Sequence, residues 1–379
     1  MIRPVLLLVL CLATTPAILA AQQGPVLPKV RRVAARAEEF PETFTSVRSL
    51  TALPDGRLVL SDVAEKKLLL VDFAKHSITP LARTGTGPRE YQNPGGTYRA
   101  ARGGVLIYDQ QQKRFLPISS SGQVADVLAL PMTPMSWGAS DDGPDTFVPD
   151  SLGNLYSPGQ RYGRGGLLDS VPLMHYDRSG VIADTVGYLR QPEQRAMPSS
   201  QPGVTMSQLV AFSPNEIWAV APDGGVAIVK ASPYRVDWFS TGKARVHGPV
   251  IPYTPLPVTR ADVDTLRARM SHGSFASVNR NGKSQSVPTP TREPITMPTK
   301  PPFPAQMPRI DETGRLWVER SAAADATVRT YDVIDRRGVV VDRIELPAGV
   351  RLVGFDARSL YTVRKDDDDL LHLQRYALP

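Results

Sequence analysis

Cysteine is almost absent from this chain of 379 residues, and the single one, Cys11, lies in an apolar segment near the N-terminus. The remainder can therefore form no disulfide, no zinc site with cysteine ligands and no cysteine nucleophile. After residue 21, no apolar run approaches the length of about 20 residues that spans a bilayer. We thus expect no membrane span in the mature chain.

Signatures of catalysis are missing as well. No Gly-x-Ser-x-Gly element marks a hydrolase nucleophile, and no P-loop is present. The five histidines lie far apart in the sequence. The acidic run from Asp366 to Asp369 is interpreted as a solvated turn, because four consecutive side chains cannot all face one calcium ion. Neither a metal site nor a cofactor is predicted.

The first 21 residues have the composition of an export signal. Arg3 supplies the positive charge, residues 5–12 form a short apolar run, and residues 17–21 are rich in alanine. We therefore expect residues 1–21 to be a signal peptide and the mature protein to be periplasmic or extracellular. Retention of this segment as a membrane anchor is the alternative.

The net charge of +7 and the 36 prolines limit the class of protein further. A basic chain attracts anionic partners, and for an exported protein these are acidic ligands or cell-surface polyanions rather than nucleic acid. So many prolines suit a loop-rich all-β chain better than a helical one. We expect a monomer that binds a small molecule or a protein.

A short pattern recurs six times, each time as a turn-forming cluster followed by an aliphatic residue and a large or aromatic one. The copies are residues 54–60, 102–107, 152–156, 214–219, 311–318 and 357–362. The aliphatic position, here called the column, is occupied by Leu58, Val105, Leu155, Ile217, Leu316 and Leu360. A polar turn before a β-branched or aromatic run indicates a hairpin. Six such hairpins predict an all-β, six-bladed β-propeller with four-stranded antiparallel blades.

The predicted propeller occupies residues 29–379. Its blades are expected at about 44–83, 97–130, 145–189, 208–250, 306–346 and 351–379. The last copy has only three strands, so residues 29–36 are predicted to add the N-terminal strand that closes the final blade and protects its open edge. Residues 252–305 form an insertion between blades four and five. There Thr259 and Asp262 resemble a capping box before one short helix, and a proline-rich strap follows.

Strand direction predicts two unlike faces of the disc. In antiparallel blades, the turns joining first to second and third to fourth strands share one face, which we call the plain face. The remaining connections share the other, the decorated face. Every long segment belongs to the decorated face, where loops that carry function are expected to cluster and the channel to open.

Residues 85–91, Gly-Thr-Gly-Pro-Arg-Glu-Tyr, form the most distinctive loop. Gly87 before Pro88 restricts the backbone, and Gly85 permits a positive φ. Here the sequence resembles the bacterial exported six-bladed β-propeller proteins related to NHL-repeat proteins, whose first blade is commonly followed by Gly-x-Gly-Pro-Gly-Glu-Phe and a proline. The matching residues are Gly85, Gly87, Pro88, Glu90, Tyr91 and Pro94, with Arg89 replacing Gly and Tyr91 replacing Phe. The resemblance covers the mature chain and implies the fold, but this family has no agreed biochemical activity.

Four arginines are candidates for binding: Arg48, Arg99, Arg309 and Arg351. Each is predicted at or near the start of an innermost strand, at the end facing the decorated face. Together they would attract a carboxylate, phosphate or sulfate group and disfavour a divalent cation. The alternative is that they are partly exposed and paired with neighbouring carboxylates.

The sequence favours a non-catalytic exported propeller that binds an anionic ligand or a partner on its decorated face. One alternative is a propeller enzyme, a lyase or lactone hydrolase acting at the central channel. It would need a metal, or two convergent histidines or acidic groups, in that channel. A second alternative is a cell-envelope scaffold that uses its outer strands.

Overall fold

Six radial sheets make up the body of the computed structural model. It describes residues 27–33, 37–130, 147–159, 162–163, 166–197, 206–271, 275–280, 283–288, 293–347 and 349–379. The predicted signal segment and the start of the predicted third blade lie outside these ranges. The sheets confirm the six-bladed β-propeller with mostly four-stranded antiparallel blades.

Strands are numbered along the chain. Two precede the blades: β1 (Val30–Arg32) and β2 (Glu38–Phe44). Blade one consists of β3 (Val47–Ala52), β4 (Leu58–Asp62), β5 (Lys67–Asp72) and β6 (Ser77–Pro80). Blade two consists of β7 (Pro94–Arg99), a 3-10 turn (Ala101–Gly103), β8 (Val105–Asp109), β9 (Arg114–Ile118) and β10 (Leu128–Ala129). Blade three consists of β11 (Val148–Pro149), β12 (Leu155–Pro158), the hairpin of β13 (Tyr162–Gly163) and β14 (Gly166–Leu167), β15 (Ser170–Tyr176) and β16 (Ile182–Arg190).

The second half of the ring is interrupted by insertions. Before blade four there is a hairpin of β17 (Gln194–Met197) and β18 (Met206–Leu209). Blade four consists of β19 (Ile217–Val220), β20 (Val226–Ala231), β21 (Tyr234–Phe239) and β22 (Val246–His247). Next come helix α1 (Arg260–Ser271) and a hairpin of β23 (Phe275–Arg280) and β24 (Lys283–Pro288). Blade five consists of β25 (Arg309–Ile310), β26 (Leu316–Glu319), β27 (Val328–Ile334) and β28 (Val340–Pro347). Blade six contributes β29 (Val350–Phe355), β30 (Ser359–Lys365) and β31 (Leu371–Ala377).

The second strand of each blade is apolar on both sides because two neighbouring blades cover it. In β4, Leu58 and Leu60 are fully buried in the cluster shared with blade six. Val59, between them, points the other way and is fully buried in the cluster shared with blade two. Alternate side chains of one strand therefore join successive blades, which explains the aliphatic and aromatic columns of the repeat.

In blade four, the strand assignment predicted from the repeat is wrong. Ile217 lies in β19, the innermost strand, and not in the second strand as predicted. The true counterpart follows the turn Pro222-Asp223-Gly224, where Gly224 has φ +80° and the N–H of Ala221 bonds the carbonyl of Gly225 at 2.7 Å. Val226 then occupies the column. The strands of blade four thus begin at residue 217, nine residues after the predicted boundary.

The strand that closes the ring also differs from the prediction. Residues 29–36 do not complete the last blade, because β1 pairs in parallel with β28 and adds a fifth strand to the outer edge of blade five. An N-terminal strand does close blade six, but it is β2, which pairs antiparallel with β31. Burial explains the choice: Phe40 and Phe44 are buried, whereas all three residues of β1 are exposed. Only β2 carries the aromatic side chains that fill the space between blades six and one.

The insertion between blades four and five has the predicted helix. Thr259 and Asp262 form a capping box at the start of α1: the Thr259 hydroxyl accepts the Asp262 N–H at 3.4 Å, and the Asp262 carboxylate accepts the Thr259 N–H at 2.9 Å. The hairpin β23–β24 was not predicted. Among the described residues, the strand order places the long connections 81–93, 248–259 and 293–308 on the decorated face, whereas each described plain-face turn is shorter, which agrees with the prediction of two unlike faces.

The loop at residues 85–91 joins blade one to blade two. The carboxylate of Glu90 accepts the Gly87 N–H at 2.8 Å, and the hydroxyl of Tyr91 accepts the Leu68 N–H at 3.0 Å. A Cβ at Gly85 would lie 2.0 Å from the Glu90 carboxylate. Gly85 does not have the positive φ that the sequence suggested, and a side chain there would have to displace the Glu90 carboxylate. The contacts give the motif a structural role.

The plain-face turn of blade five is built around one carboxylate, that of Asp311. One of its oxygens accepts the N–H groups of Thr313 and Arg315, at 2.9 and 3.0 Å, and the other accepts the indole N–H of Trp317 at 2.9 Å. Burial alone would raise the pKa of Asp311, but these hydrogen bonds and the Arg315 guanidinium together lower it. The turn is thus stabilised by the ionised form.

We predict that Asp311→Asn lowers the free energy of unfolding by about 1–2 kcal/mol at pH 7, because the amide accepts on one oxygen only. Since the folded-state pKa is depressed, the contribution of Asp311 is present above its ordinary pKa of 3.8 and is lost as the pH falls through the folded value. Urea unfolding should therefore show the difference from wild type shrinking below pH 4. Asp367→Asn, at an exposed position, is the control and should change stability little at either pH. A constant difference would contradict the assignment.

Candidate functional site

The innermost strands of all six blades surround a central channel with a volume of about 530 Å³. This lies within the range of about 300–1,000 Å³ that small-molecule sites usually have. Its wall includes residues from every blade, among them Ser49, Thr97, Val148, Ala219, Arg309 and Leu352. Because innermost strands have one unpaired edge, main-chain carbonyl groups also face this space.

Arg309, the first residue of β25, reaches across to two neighbouring blades. Its Nε donates to the carbonyl of Leu352 in blade six at 3.1 Å, and its Nη2 donates to the carbonyl of Arg48 in blade one at 3.3 Å. Arg351 in turn donates to the carbonyl of Val47 at 2.5 Å. Three of the four predicted arginines, Arg48, Arg309 and Arg351, therefore converge where blades five, six and one meet.

Three guanidinium groups, those of Arg309, Arg351 and Arg48, lie near one another in this part of the channel. Burial, together with the nearby charges of Arg351 and Arg48, lowers the pKa of Arg309 to about 10, while Tyr331 has the opposite effect. Arg309 remains charged at neutral pH despite this shift. Its hydrogen bonds go to neutral carbonyl groups, which leave its charge uncompensated by those partners. An anion entering the channel would meet a partly buried guanidinium that two main-chain carbonyls already hold in place.

Arg99 does not belong to this cluster. It is the last residue of β7 and not near its start, so it lies at the plain-face end of the channel, where it pairs with Glu312 of blade five. Burial raises the pKa of Glu312, and the Arg99 charge opposes that shift. Arg99 is thus paired with a neighbouring carboxylate, which was the alternative to anion binding in the sequence analysis.

Two parts of the channel wall were missed by sequence reasoning. Hydroxyl groups of Ser49, Thr51 and Thr97 line the side between blades one and two, where Thr51 Oγ1 donates to Thr97 Oγ1 at 2.9 Å. The end of the proline-rich strap lines another side, with Pro304, Gln306, Met307 and Pro308. The strap directly precedes β25 and joins it on the decorated face. This position in the sequence could have predicted that the end of the strap lines the channel.

The described histidines, His76, His175, His247 and His372, all lie outside the channel lining. His175 stacks on Tyr156 with ring centroids 4.8 Å apart, and His372 contacts Glu39 and Asp366 at 3.0 and 2.8 Å. The fifth, His272, falls outside the described residues. Within those residues, no three His, Cys, Asp or Glu side chains are grouped so that they could share a metal ion.

The described ranges also contain no helix long and apolar enough to cross a bilayer.

Comparison with known proteins gives neighbours in structure only. No protein-family model matches the sequence, and no curated protein matches it. Among solved structures, a putative exported protein from Bacteroides fragilis is 12% identical, with 90% of this chain and 94% of that chain covered and a TM-score of 0.49. A putative gluconolactonase is 11% identical over 91% and 93% of the two chains, with a TM-score of 0.41. Virginiamycin B lyase from Staphylococcus aureus is 11% identical over 91% and 99%, with a TM-score of 0.39. Likeness this distant transfers neither ligand nor activity, and the six-bladed propeller is established by the strand topology of the chain itself.

Proposed function

We propose that the protein is an exported binding protein that takes a small anionic ligand into its central channel. The observation that carries the proposal is the convergence of Arg309, Arg351 and Arg48 from three neighbouring blades on a channel of about 530 Å³. Export is supported by the basic, apolar and alanine-rich segments of residues 1–21.

Arg309 is the residue best placed to hold the ligand. Two of its five N–H groups are used by the carbonyls of Leu352 and Arg48. They fix the guanidinium plane, so a carboxylate, phosphate or sulfate group would bind a donor that is already oriented. The hydroxyl wall of Ser49, Thr51 and Thr97 would accept or donate further hydrogen bonds to a polar ligand.

The proposal is tested by calorimetric titration of the full chain with phosphate, sulfate, citrate and glucuronate. For the tightest of these, Arg309→Met should weaken binding by about tenfold to a hundredfold, since a hydrogen bond to a charged group contributes about 1.5–3 kcal/mol. Arg309→Lys, which keeps the charge but not the fork of donors, should give an intermediate loss.

Arg99→Met is the matched control, because it removes the same charge from the opposite end of the channel. We expect it to change affinity by less than about threefold, as long-range electrostatics is screened over about 10 Å at 0.1 M salt. Equal losses in the two variants would mean that net charge and not the channel site governs binding. Absence of binding by the wild-type protein at millimolar anion would refute the proposal. Melting temperatures of all variants verify that they are folded.

A further inference from the structure

An ion pair crosses the plain-face end of the channel, and we call it the bridge. Arg99 ends β7 in blade two, and Glu312 follows β25 in blade five, where its carboxylate accepts a hydrogen bond from Nη2 of Arg99. Both side chains line the channel. In a ring of six blades, blade two stands opposite blade five, with two blades between them on either side. The bridge therefore joins opposite walls of the channel and not neighbouring strands.

Both partners of the bridge are attached to ordered main chain. Arg99 is paired with Val105 of β8, and Glu312 belongs to the turn that Asp311 stabilises through its bonds to main-chain N–H groups. The side chains of Arg99 and Glu312 are only 26% and 25% exposed. Opposite charges that are partly shielded from water attract each other more strongly than they do on an open surface. The bridge is thus built into the channel wall at both ends.

A second ion pair narrows the same mouth from the side of blades four and five. Arg336 Nη2 donates to the carboxylate of Asp223 at 3.1 Å, and the Arg336 guanidinium carbon lies 4.2 Å from the ring centroid of Trp238. A Cβ at Gly225 would collide with Nη1 of Arg336, so glycine leaves the room that the guanidinium occupies. Arg336 and Asp223 also line the channel. Side chains from blades two, four and five therefore occupy the plain-face mouth.

The opposite end of the channel has a different lining. There Arg48, Arg309 and Arg351 lie at or next to the first residues of their strands, on the decorated side. Like charges in a narrow passage raise the local concentration of anions and lower that of cations. A channel open at both ends would let cations enter by the other mouth. Closure of the plain-face mouth therefore decides whether the arginines can select solutes by charge.

We propose that the bridge of Arg99 and Glu312 closes the plain-face mouth, so that solutes enter and leave the channel only past the three arginines. This role rests on the proposed function, because the bridge makes the anion site selective without contacting the ligand. A linear polymer cannot thread through a channel that is closed at one end, so a polyanionic chain would be bound by its terminal group. The equilibrium affinity for a small anion does not depend on the number of entrances, which agrees with the small effect expected for Arg99→Met.

The route of entry is measured with a single thiol on the channel wall, in a Cys11→Ser background. Thr51→Cys is suitable, because Thr51 lines the channel and contacts Thr97, which lies two residues inside Arg99 on β7. Two methanethiosulfonate reagents of similar size probe the thiol, one with a sulfonate and one with a trimethylammonium group. Their rates are divided by those at Ala357→Cys, an exposed position outside the channel lining, to remove differences in intrinsic reactivity.

With the bridge intact, the sulfonate reagent should react at least about tenfold faster than the trimethylammonium reagent, as expected for a passage lined by charge of one sign. The double variant Arg99→Ala, Glu312→Ala removes one charge of each sign and opens the plain-face mouth. It should raise the rate of the cationic reagent by at least about tenfold and that of the anionic reagent by less than about threefold. Both residues are changed because burial and the neighbouring Asp356 and Asp311 raise the pKa of Glu312, and Arg99 is the cation that opposes them.

The matched control is Arg89→Ala, Asp126→Ala, which removes an exposed ion pair with an N–O distance of 2.7 Å. Neither residue lines the channel, so both rates should stay within about twofold of those with the bridge intact. A cationic rate that does not rise when the bridge is removed, or rises as much in the control, would overturn the closure. Melting temperatures verify folding, and Ser49→Cys on the same wall replaces a Thr51 variant that does not fold.

Arg309→Met separates this inference from the proposed function. With the bridge intact, it should raise the rate of the cationic reagent, because it weakens the positive barrier on the remaining route. Absence of anion binding in calorimetry refutes the proposed function alone, since the thiol rates still report whether the plain-face mouth is closed. Anion binding by a protein in which removal of the bridge leaves the cationic rate unchanged refutes the closure alone.

Discussion

Replacing Phe40 by alanine should lower the free energy of unfolding by about 3–5 kcal/mol, as large-to-small changes of a buried phenylalanine do. Phe40 is 1% exposed, and its ring lies 5.2 Å from that of Phe73 in an edge-on contact. The side chain thus joins the closing strand β2 to blade one, across the seam between the two ends of the chain. Loss of this contact weakens both the closure of the ring and the hydrophobic cluster between blades six and one.

Equilibrium unfolding in urea measures the effect, and Val30→Ala in β1 is the control. Val30 is 47% exposed on the outer edge of blade five, so its substitution should change stability by less than about 0.5 kcal/mol. If the Val30 variant lost as much stability as the Phe40 variant, β1 and not β2 would be the strand on which closure depends.

The repeat could be recognised in the sequence because the second strand of each blade is covered by a neighbouring blade on both sides. Its side chains therefore follow one apolar pattern. Leu58, Val105 and Leu316 follow clear turns and stand in the predicted strands. The strand prediction was wrong in blade four because two turn-like clusters, one before Ile217 and one before Val226, lie within ten residues of each other. Only the pairing of β20 with both β19 and β21 distinguishes them. Local pattern therefore gives the number of blades more reliably than the position of each strand.

The channel site was only partly predictable. Arg48 lies ten residues before its column residue Leu58, whereas Arg99 lies six before Val105. That difference moves Arg99 to the opposite end of its strand and could have been used. The contacts of Arg309 could not have been predicted. Its side chain donates to main-chain carbonyls of two other blades, and the sequence pattern does not give the distance between blades. Convergence across a ring depends on three-dimensional offsets between strands.

The proline-rich strap is attached to the propeller by one buried ion pair. Lys300 Nζ lies 2.6 Å from the carboxylate of Asp262, at the start of α1, and donates to the carbonyl of Ala322 in the segment between β26 and β27, also at 2.6 Å. Both charged side chains are only 7% exposed. Burial would raise the pKa of Asp262, but Lys300 and the hydrogen bonds from Thr259 keep it lowered. The carboxylate therefore stays ionised inside the protein.

Lys300→Met should destabilise the protein by about 3–5 kcal/mol, because it leaves a buried carboxylate without its cation. A second substitution, Asp262→Asn, removes that charge, so the double variant should regain part of the lost stability; the coupling from a double-mutant cycle measures how much the pair contributes. Additive effects would show that the two groups do not interact. Since Pro304 to Pro308 continue from this anchor into the channel wall, the Lys300 variant should also bind the channel anion more weakly, although every arginine of the site is retained.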